Sequence, residues 1–151
     1  MTLWLKRAVV SSASWMTVAV IYLFAAFAGD GPAGLEKGEG RRNLIAVCLG
    51  VGIVSHLALF HLTRERKDSE RVLVDERDRE VRRQASHVAF IVTAVAVFLG
   101  CIVLDDRFQA SGCVPVGWVW FLGYGGWILA YLAEALATVV CYGRADTRGE
   151  G

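Results

Sequence analysis

Residues 91–104 have the sequence IVTAVAVFLGCIVL, which contains one hydroxyl group and no charge. A helix in a soluble bundle keeps a polar face, whereas this stretch is apolar all round. A helix needs about 20 largely apolar residues to cross the hydrocarbon core of a bilayer. Blocks near that length, the third being the shortest, cover residues 8–28, 43–62, 87–104 and 116–142. The sequence therefore predicts four membrane-spanning helices.

Composition and length are consistent with one membrane domain. The chain has 151 residues, of which 55% are hydrophobic, and this length suits a single domain. We predict an all-α, integral-membrane four-helix bundle that covers residues 1–151. The four cysteines have no CxxC or Cys/His spacing, so no metal site, cofactor or disulfide framework is predicted. The sequence also lacks a Walker motif, an HExxH motif and a dinucleotide-binding glycine pattern, which favours a non-enzymatic protein.

The distribution of positive charge predicts the orientation of the spans. Lysine and arginine are enriched in the loops that stay in the cytoplasm. Both chain ends and the segment between spans two and three lie on one side of a four-span protein. That side holds twelve of the 16 Lys and Arg residues. We therefore expect a multi-pass protein of the cell (inner) membrane with its N-terminus and C-terminus in the cytoplasm.

The segment between spans two and three, residues 64–86, has the sequence RERKDSERVLVDERDREVRRQAS. Acids stand four residues before arginines in it, a spacing that stabilises helices. We predict a continuous helix over residues 75–104 and an extension of span two over residues 64–71. Together they form a charged cytoplasmic hairpin, residues 63–86. Its candidate partner-docking residues are Asp75, Glu76, Arg77, Asp78, Arg82 and Arg83.

The charged hairpin favours a protein partner. Seven acids are interleaved with its eight basic residues and cancel most of the attraction for anionic lipid head groups. For the same reason no nucleic-acid partner is predicted. Membrane lipid surrounds the spans, and a cytoplasmic or membrane protein is the expected specific partner.

The loop between spans one and two, residues 29–40, has the sequence GDGPAGLEKGEG. Glycine at this density predicts a flexible loop on the outer side. Asn43 follows it and is a candidate N-cap for span two.

Glu134 is the only acidic residue inside a predicted span. An intramembrane carboxylate is costly and normally faces protein or water. His56 and Ser14 fall in the same, cytoplasmic half of the bilayer. One hypothesis is a polar cavity open to the cytoplasm, with Glu134 and His56 as its proton-sensitive pair. The alternative is that these groups make interhelical hydrogen bonds that hold the bundle together.

Span four carries two further patterns. A stripe recurs at every fourth residue, and its small members predict close packing against a neighbouring helix. The stripe leaves a monomeric bundle and a homo-oligomer both open. Trp127 and Tyr131 lie deeper than the aromatic belt at a membrane interface, so they are candidate ligand-binding residues, with anchoring as the alternative. The stripe consists of Leu122, Gly126, Ala130, Glu134 and Thr138.

The run DERD at residues 75–78, followed by Val81, Ala85 and an apolar span, resembles a motif of small uncharacterised prokaryotic membrane proteins with four spans. Some of those proteins are thought to accompany small transcriptional regulators. The resemblance covers about 25 residues and the four-span layout. It implies a bacterial, membrane-bound regulatory or immunity-type role, and it supplies no catalytic residues.

Three functions fit these patterns. The first is a non-enzymatic partner-binding or regulatory membrane component that uses the charged hairpin. The second is a small transporter or ligand-binding membrane protein that uses Glu134 and His56. The third is an integral-membrane enzyme that acts on lipid, with Glu134 or a histidine as base, and it lacks a recognisable nucleophile or metal set.

Overall fold

The computed structural model describes residues 3–65 and 76–148. Within these ranges it describes every side chain except those of residues 3, 4, 60, 62–65, 76–78 and 145–148. Four α-helices dominate this part of the chain, and it contains no strand. Two short 3-10 helices, Pro32–Leu35 and Gln109–Ser111, lie between them. The α-helices are α1 (Leu3–Phe27), α2 (Glu39–Glu65), α3 (Glu76–Phe108) and α4 (Val116–Arg148).

Each α-helix contains a stretch long and apolar enough to cross a membrane. Large hydrophobic side chains are exposed on all four helices, and Phe24 and Phe90 are 77% and 72% exposed. Soluble monomers rarely expose so much contiguous apolar surface, whereas lipid-facing surfaces do. The prediction of an all-helical chain with four apolar helices is confirmed. The candidate spans are Leu5–Phe27, Glu39–Leu59, Arg79–Ser111 and Val116–Arg144.

The helices pack in the order α2, α1, α4, α3. α1 packs extensively against both α2 and α4, and α3 packs against α4. The described parts of α2 and α3 make no comparable contact, so these helices occupy the two edges. Trp15, Ile45 and Leu35 are the largest fully buried side chains. Across the centre, the Tyr22 hydroxyl of α1 donates a hydrogen bond to the carbonyl oxygen of Phe121 in α4.

The contact between α3 and α4 follows the stripe of small residues. A Cβ atom on Gly126 would lie 3.0 Å from Cγ2 of Val97, and one on Gly100 would lie 2.6 Å from Cδ2 of Leu122. The lack of side chains at these positions lets the two helices approach closely. The prediction that the stripe faces a neighbouring helix is confirmed, and that helix is α3.

The loop between α1 and α2 is packed, which differs from the predicted flexible loop. The 3-10 helix Pro32–Leu35 contacts α1, α2 and α4, and Leu35 is only 1% exposed. The guanidinium group of Arg41 donates hydrogen bonds to the carbonyl oxygens of Ala28 and Gly34. The prediction that Asn43 caps span two is wrong, because α2 begins one turn earlier, at Glu39.

The predicted helix through the charged segment is present in the described residues. α3 runs without a break from Glu76 to Phe108, so one helix carries both charged residues and the third apolar stretch. α2 continues to Glu65. The rest of the predicted hairpin, residues 66–75 with Asp75, lies outside the described residues.

Candidate functional site

His56 of α2 is held against α1. The Ser11 hydroxyl and Nδ1 of His56 lie 3.5 Å apart, at the long end of hydrogen-bonding distance. The half-buried imidazole also packs on two aromatic rings. Its centroid lies 6.5 Å from that of Trp15 and 5.0 Å from that of Tyr131, the latter in an edge-on arrangement. His56 therefore contacts both central helices.

Glu134 of α4 is held against α3. The Ser86 hydroxyl donates a hydrogen bond of 3.0 Å to Oε1 of Glu134. The next turn of α4 carries Thr138, whose hydroxyl donates to the backbone oxygen of Glu134 at 2.7 Å. Glu134 is half-buried, and it also lies within electrostatic range of Arg7.

Two arginines stand one helical turn from these serines. Arg7 precedes Ser11 by four residues in α1, and Arg82 precedes Ser86 by four residues in α3, so each pair shares a helix face. Arg7 lies close enough to interact electrostatically with Arg82 and with Glu134. Both arginines and Glu134 also interact electrostatically with His56.

We call this group the polar junction. Each of the four α-helices contributes one ionisable side chain to it. His56 and Glu134 make no direct hydrogen bond to each other within the described structure, because each is bound to its own serine. The polar junction consists of Arg7, Ser11, His56, Arg82, Ser86 and Glu134.

An apolar groove lies next to the polar junction, between α2 and α4. Its volume is about 640 Å³. Trp127 is 52% exposed and lines it, together with Trp120 and Tyr124, whose rings stack at 5.3 Å. Tyr131, one turn further along α4, stacks on Trp15 with ring centroids 4.7 Å apart. Tyr131 therefore separates the groove from His56.

The two predicted aromatic residues have different environments. Trp127 lies at the groove surface, where a ligand or lipid can contact it. Tyr131 packs between Trp15, His56 and Trp127. Its position is that of a structural contact between three helices.

We predicted Ser14 as a site residue, whereas Ser11, three residues earlier, is the serine that contacts His56. Ser14 is half-buried and has no described hydrogen bond. Arg7 and Ser86 were not selected either. A signal for them exists, because α1 and α3 each carry an Arg-x-x-x-Ser spacing near their starts, RAVVS at residues 7–11 and RRQAS at residues 82–86.

The predicted docking residues divide between two environments. Arg83 is exposed and forms an ion pair of 3.1 Å with Glu80, which also accepts a hydrogen bond from Gln84. Arg82 belongs instead to the polar junction. Residues 76–78 have a helical backbone, and their side chains lie outside the described part of the structure.

The polar junction combines charged side chains, an imidazole and two hydroxyl groups. Within the described ranges, no group of three or more His, Cys, Asp or Glu side chains is placed to hold a metal ion. Ser11 and His56 have the residue types of a nucleophile and a base. Ser11 is only 7% exposed, however, and its hydroxyl group contacts His56.

No protein-family model matches the chain, and no curated protein or solved structure matches it either.

Proposed function

We propose that the chain is a multi-pass protein of the cell (inner) membrane that binds or transports a small ligand at the polar junction. The observation that carries this proposal is the convergence of one ionisable side chain from each of four apolar helices. Ionisable groups at membrane depth are costly and commonly mark ligand or ion pathways. The excess of Lys and Arg on the side of the chain ends supports a cytoplasmic location for the junction.

The exposure of the junction favours binding over a purely structural role. Polar side chains between membrane helices often serve only to hold the helices together. A group with that role alone would be expected to lie fully buried between the helices. His56 and Glu134 are only half-buried and Arg82 is exposed, so the junction is open at the surface of the bundle.

The first test measures access of water to the junction. Ser86→Cys, in a background with the native cysteines replaced by alanine, is expected to react with a membrane-impermeant maleimide in inside-out vesicles. Val95→Cys is the matched control, because residue 95 is on the same helix and 51% exposed but lies within the apolar span. Equal protection of the two thiols would show that the junction is closed, and the proposal would fail.

The second test measures binding. Compounds are screened for the ability to raise the unfolding temperature of the wild-type protein in detergent. A ligand of the junction is expected to stabilise the wild type and to stabilise His56→Ala or Glu134→Gln to a different extent. If every stabilising compound acts equally on all three proteins, the junction is not the binding site.

A second candidate function is the docking of a regulatory protein partner, and the start of α3 favours it. α3 carries about three turns of charged sequence before its apolar stretch, with Arg79, Glu80 and Arg83 exposed. A photo-crosslinking residue at position 79 is expected to capture a discrete partner in cells, and one at position 95 is not. Identical patterns at the two positions would contradict the docking function.

A further inference from the structure

We infer that the apolar groove between α2 and α4 binds one acyl chain of a membrane phospholipid; this rests on the membrane location proposed above and adds a second site to the polar junction.

The first argument is the position of the groove in the fold. Its wall on α2 consists of Leu49 and Ile53, and its wall on α4 extends from Val116 to Trp127. Both walls lie inside candidate membrane spans. In the proposed membrane protein, the medium next to the groove is therefore lipid hydrocarbon.

The second argument is the length of the groove. Its α4 wall begins at the first residue of the helix, Val116, and ends at Trp127. From residue 116 to residue 127, at about 1.5 Å per residue, the wall covers about 16 Å. One leaflet supplies about half of the ~30 Å hydrocarbon core, which is about 15 Å. The groove therefore follows the path of an acyl chain from one end of the span to the middle of the bilayer.

The third argument is the width of the groove. A volume of about 640 Å³ spread over about 16 Å gives a mean cross-section of about 40 Å². An α-helix about 10 Å across occupies about twice that area. A helix of a second copy or of another protein would therefore stay largely outside the groove, whereas an extended chain without branches can lie inside it.

The fourth argument is the lining. The described residues that line the groove include no charged side chain. Trp120 and Tyr124 hold each other by stacking, and Trp127 is exposed beside them. Lipid tails are as apolar as these side chains, so apolar burial alone gives no preference for the groove. Close contact with rings that are fixed in position adds van der Waals attraction, which retains one chain in preference to loose lipid.

Gly123 makes the inference testable. It lines the groove, and a Cβ atom there would meet no atom within 4 Å. A larger side chain at this position therefore enters space that the acyl chain would occupy. Gly50 of α2 is the matched control, because it is also an exposed helical glycine with no atom within 4 Å of an added Cβ, but it does not line the groove.

The experiment is native mass spectrometry of the full chain after extraction in a mild detergent. The wild type is expected to retain one phospholipid at a detergent concentration that removes loosely associated lipid. Gly123→Leu should lower the lipid-bound fraction about tenfold, as for overpacking of a filled site. Gly50→Leu should change it less than about twofold, as for a surface substitution.

Folding of the variants is checked by thermal unfolding in the same detergent. Leucine is a better helix former than glycine, so Gly123→Leu is expected to fold. Should it fail to fold, Gly123→Ala fills part of the same space and is expected to lower the bound fraction by a factor of about three.

Several outcomes would overturn the acyl-chain inference. These are a wild type that retains no phospholipid, and equal retention by Gly123→Leu and Gly50→Leu. A dimer, or a bound compound without the mass of a phospholipid, that is lost in Gly123→Leu alone would assign the groove to another occupant. Recovery of the chain in the membrane fraction tests the membrane location separately. The tests of the polar junction use residues outside the groove, so the ligand-binding function is also judged independently.

Discussion

Replacing Gly117 with alanine is expected to destabilise the fold by separating α4 from the loop between α1 and α2. Gly117 is the second residue of α4. A Cβ atom there would collide with the backbone oxygen of Pro32 and lie 3.2 Å from that of Ala33. Backbone atoms of a packed loop cannot rotate away as the end of a side chain can. The loop must therefore move, together with the fully buried Leu35.

The magnitude follows from a comparison with Gly123, six residues further along α4, where a Cβ atom would meet no atom within 4 Å. Exchanging glycine for alanine in a helix stabilises it by about 1 kcal/mol. Gly123→Ala should show this whole increase in the free energy of unfolding, because its methyl group meets no other atom. An added methyl group in a well-packed place costs about 1–3 kcal/mol. Gly117→Ala should therefore have a free energy of unfolding about 1–3 kcal/mol below that of Gly123→Ala.

The assay is reversible unfolding in mixed micelles with increasing SDS, followed by tryptophan fluorescence. Limited proteolysis at Lys37 supplies a second measurement, because a displaced loop is cut faster. Gly123→Ala is expected to retain the wild-type cutting rate. Equal stability and equal cutting of the two variants would refute the close contact between Pro32 and α4.

Three further predictions concern the same fold. Arg41→Ala should lower the free energy of unfolding by about 2 kcal/mol, because two hydrogen bonds from a charged donor are lost. The neighbouring control, Arg42→Ala, should lower it much less, and similar losses for the two variants would contradict the role of Arg41. Tyr22→Phe should cost about 1 kcal/mol through loss of the hydrogen bond to Phe121, and a stability equal to that of the wild type would exclude that bond. Cys113, exposed between α3 and α4, should react with an impermeant maleimide in intact cells, and labelling only in inside-out vesicles would reverse the proposed topology.

The helices were predictable because their signal is local and strong. A run such as residues 91–104 has no polar face, so its helical and apolar character follows from composition alone. The close contact of Gly126 with another helix was predictable for a similar reason, because small residues at a four-residue spacing leave a groove on one side of a helix. Neither inference required knowledge of which helices are neighbours.

The polar junction was only partly predictable. Depth along the spans placed Glu134 and His56 in the same half of the bundle, but depth does not tell which serine faces the imidazole. Ser11 and Ser14 differ by less than one helical turn, and the rotation of α1 against α2 decides between them. Arg7 lies near the start of the chain, so it was counted only among the positive charges that predict the orientation. Arg82 lies among charged residues, so it was assigned to the docking hairpin. Tertiary packing directs them to the junction.

The packed loop shows a different limit. Glycine content predicted flexibility, but two of the glycines make room for the side chain of Arg41, which closes the loop. Cβ atoms at Gly34 and Gly38 would lie 2.7 and 2.8 Å from its guanidinium nitrogens. Composition cannot distinguish glycines that allow motion from glycines that allow close packing.

The two serine contacts each join helices that are consecutive in the chain, Ser11 of α1 with His56 of α2 and Ser86 of α3 with Glu134 of α4. In the membrane protein proposed above, a helical hairpin of α1 and α2 can therefore form with its imidazole already facing a hydroxyl group. The hairpin of α3 and α4 can do the same for its carboxylate. Each ionisable group then has a hydrogen-bond partner in its own hairpin before the two hairpins pack together and Tyr131 of α4 meets His56.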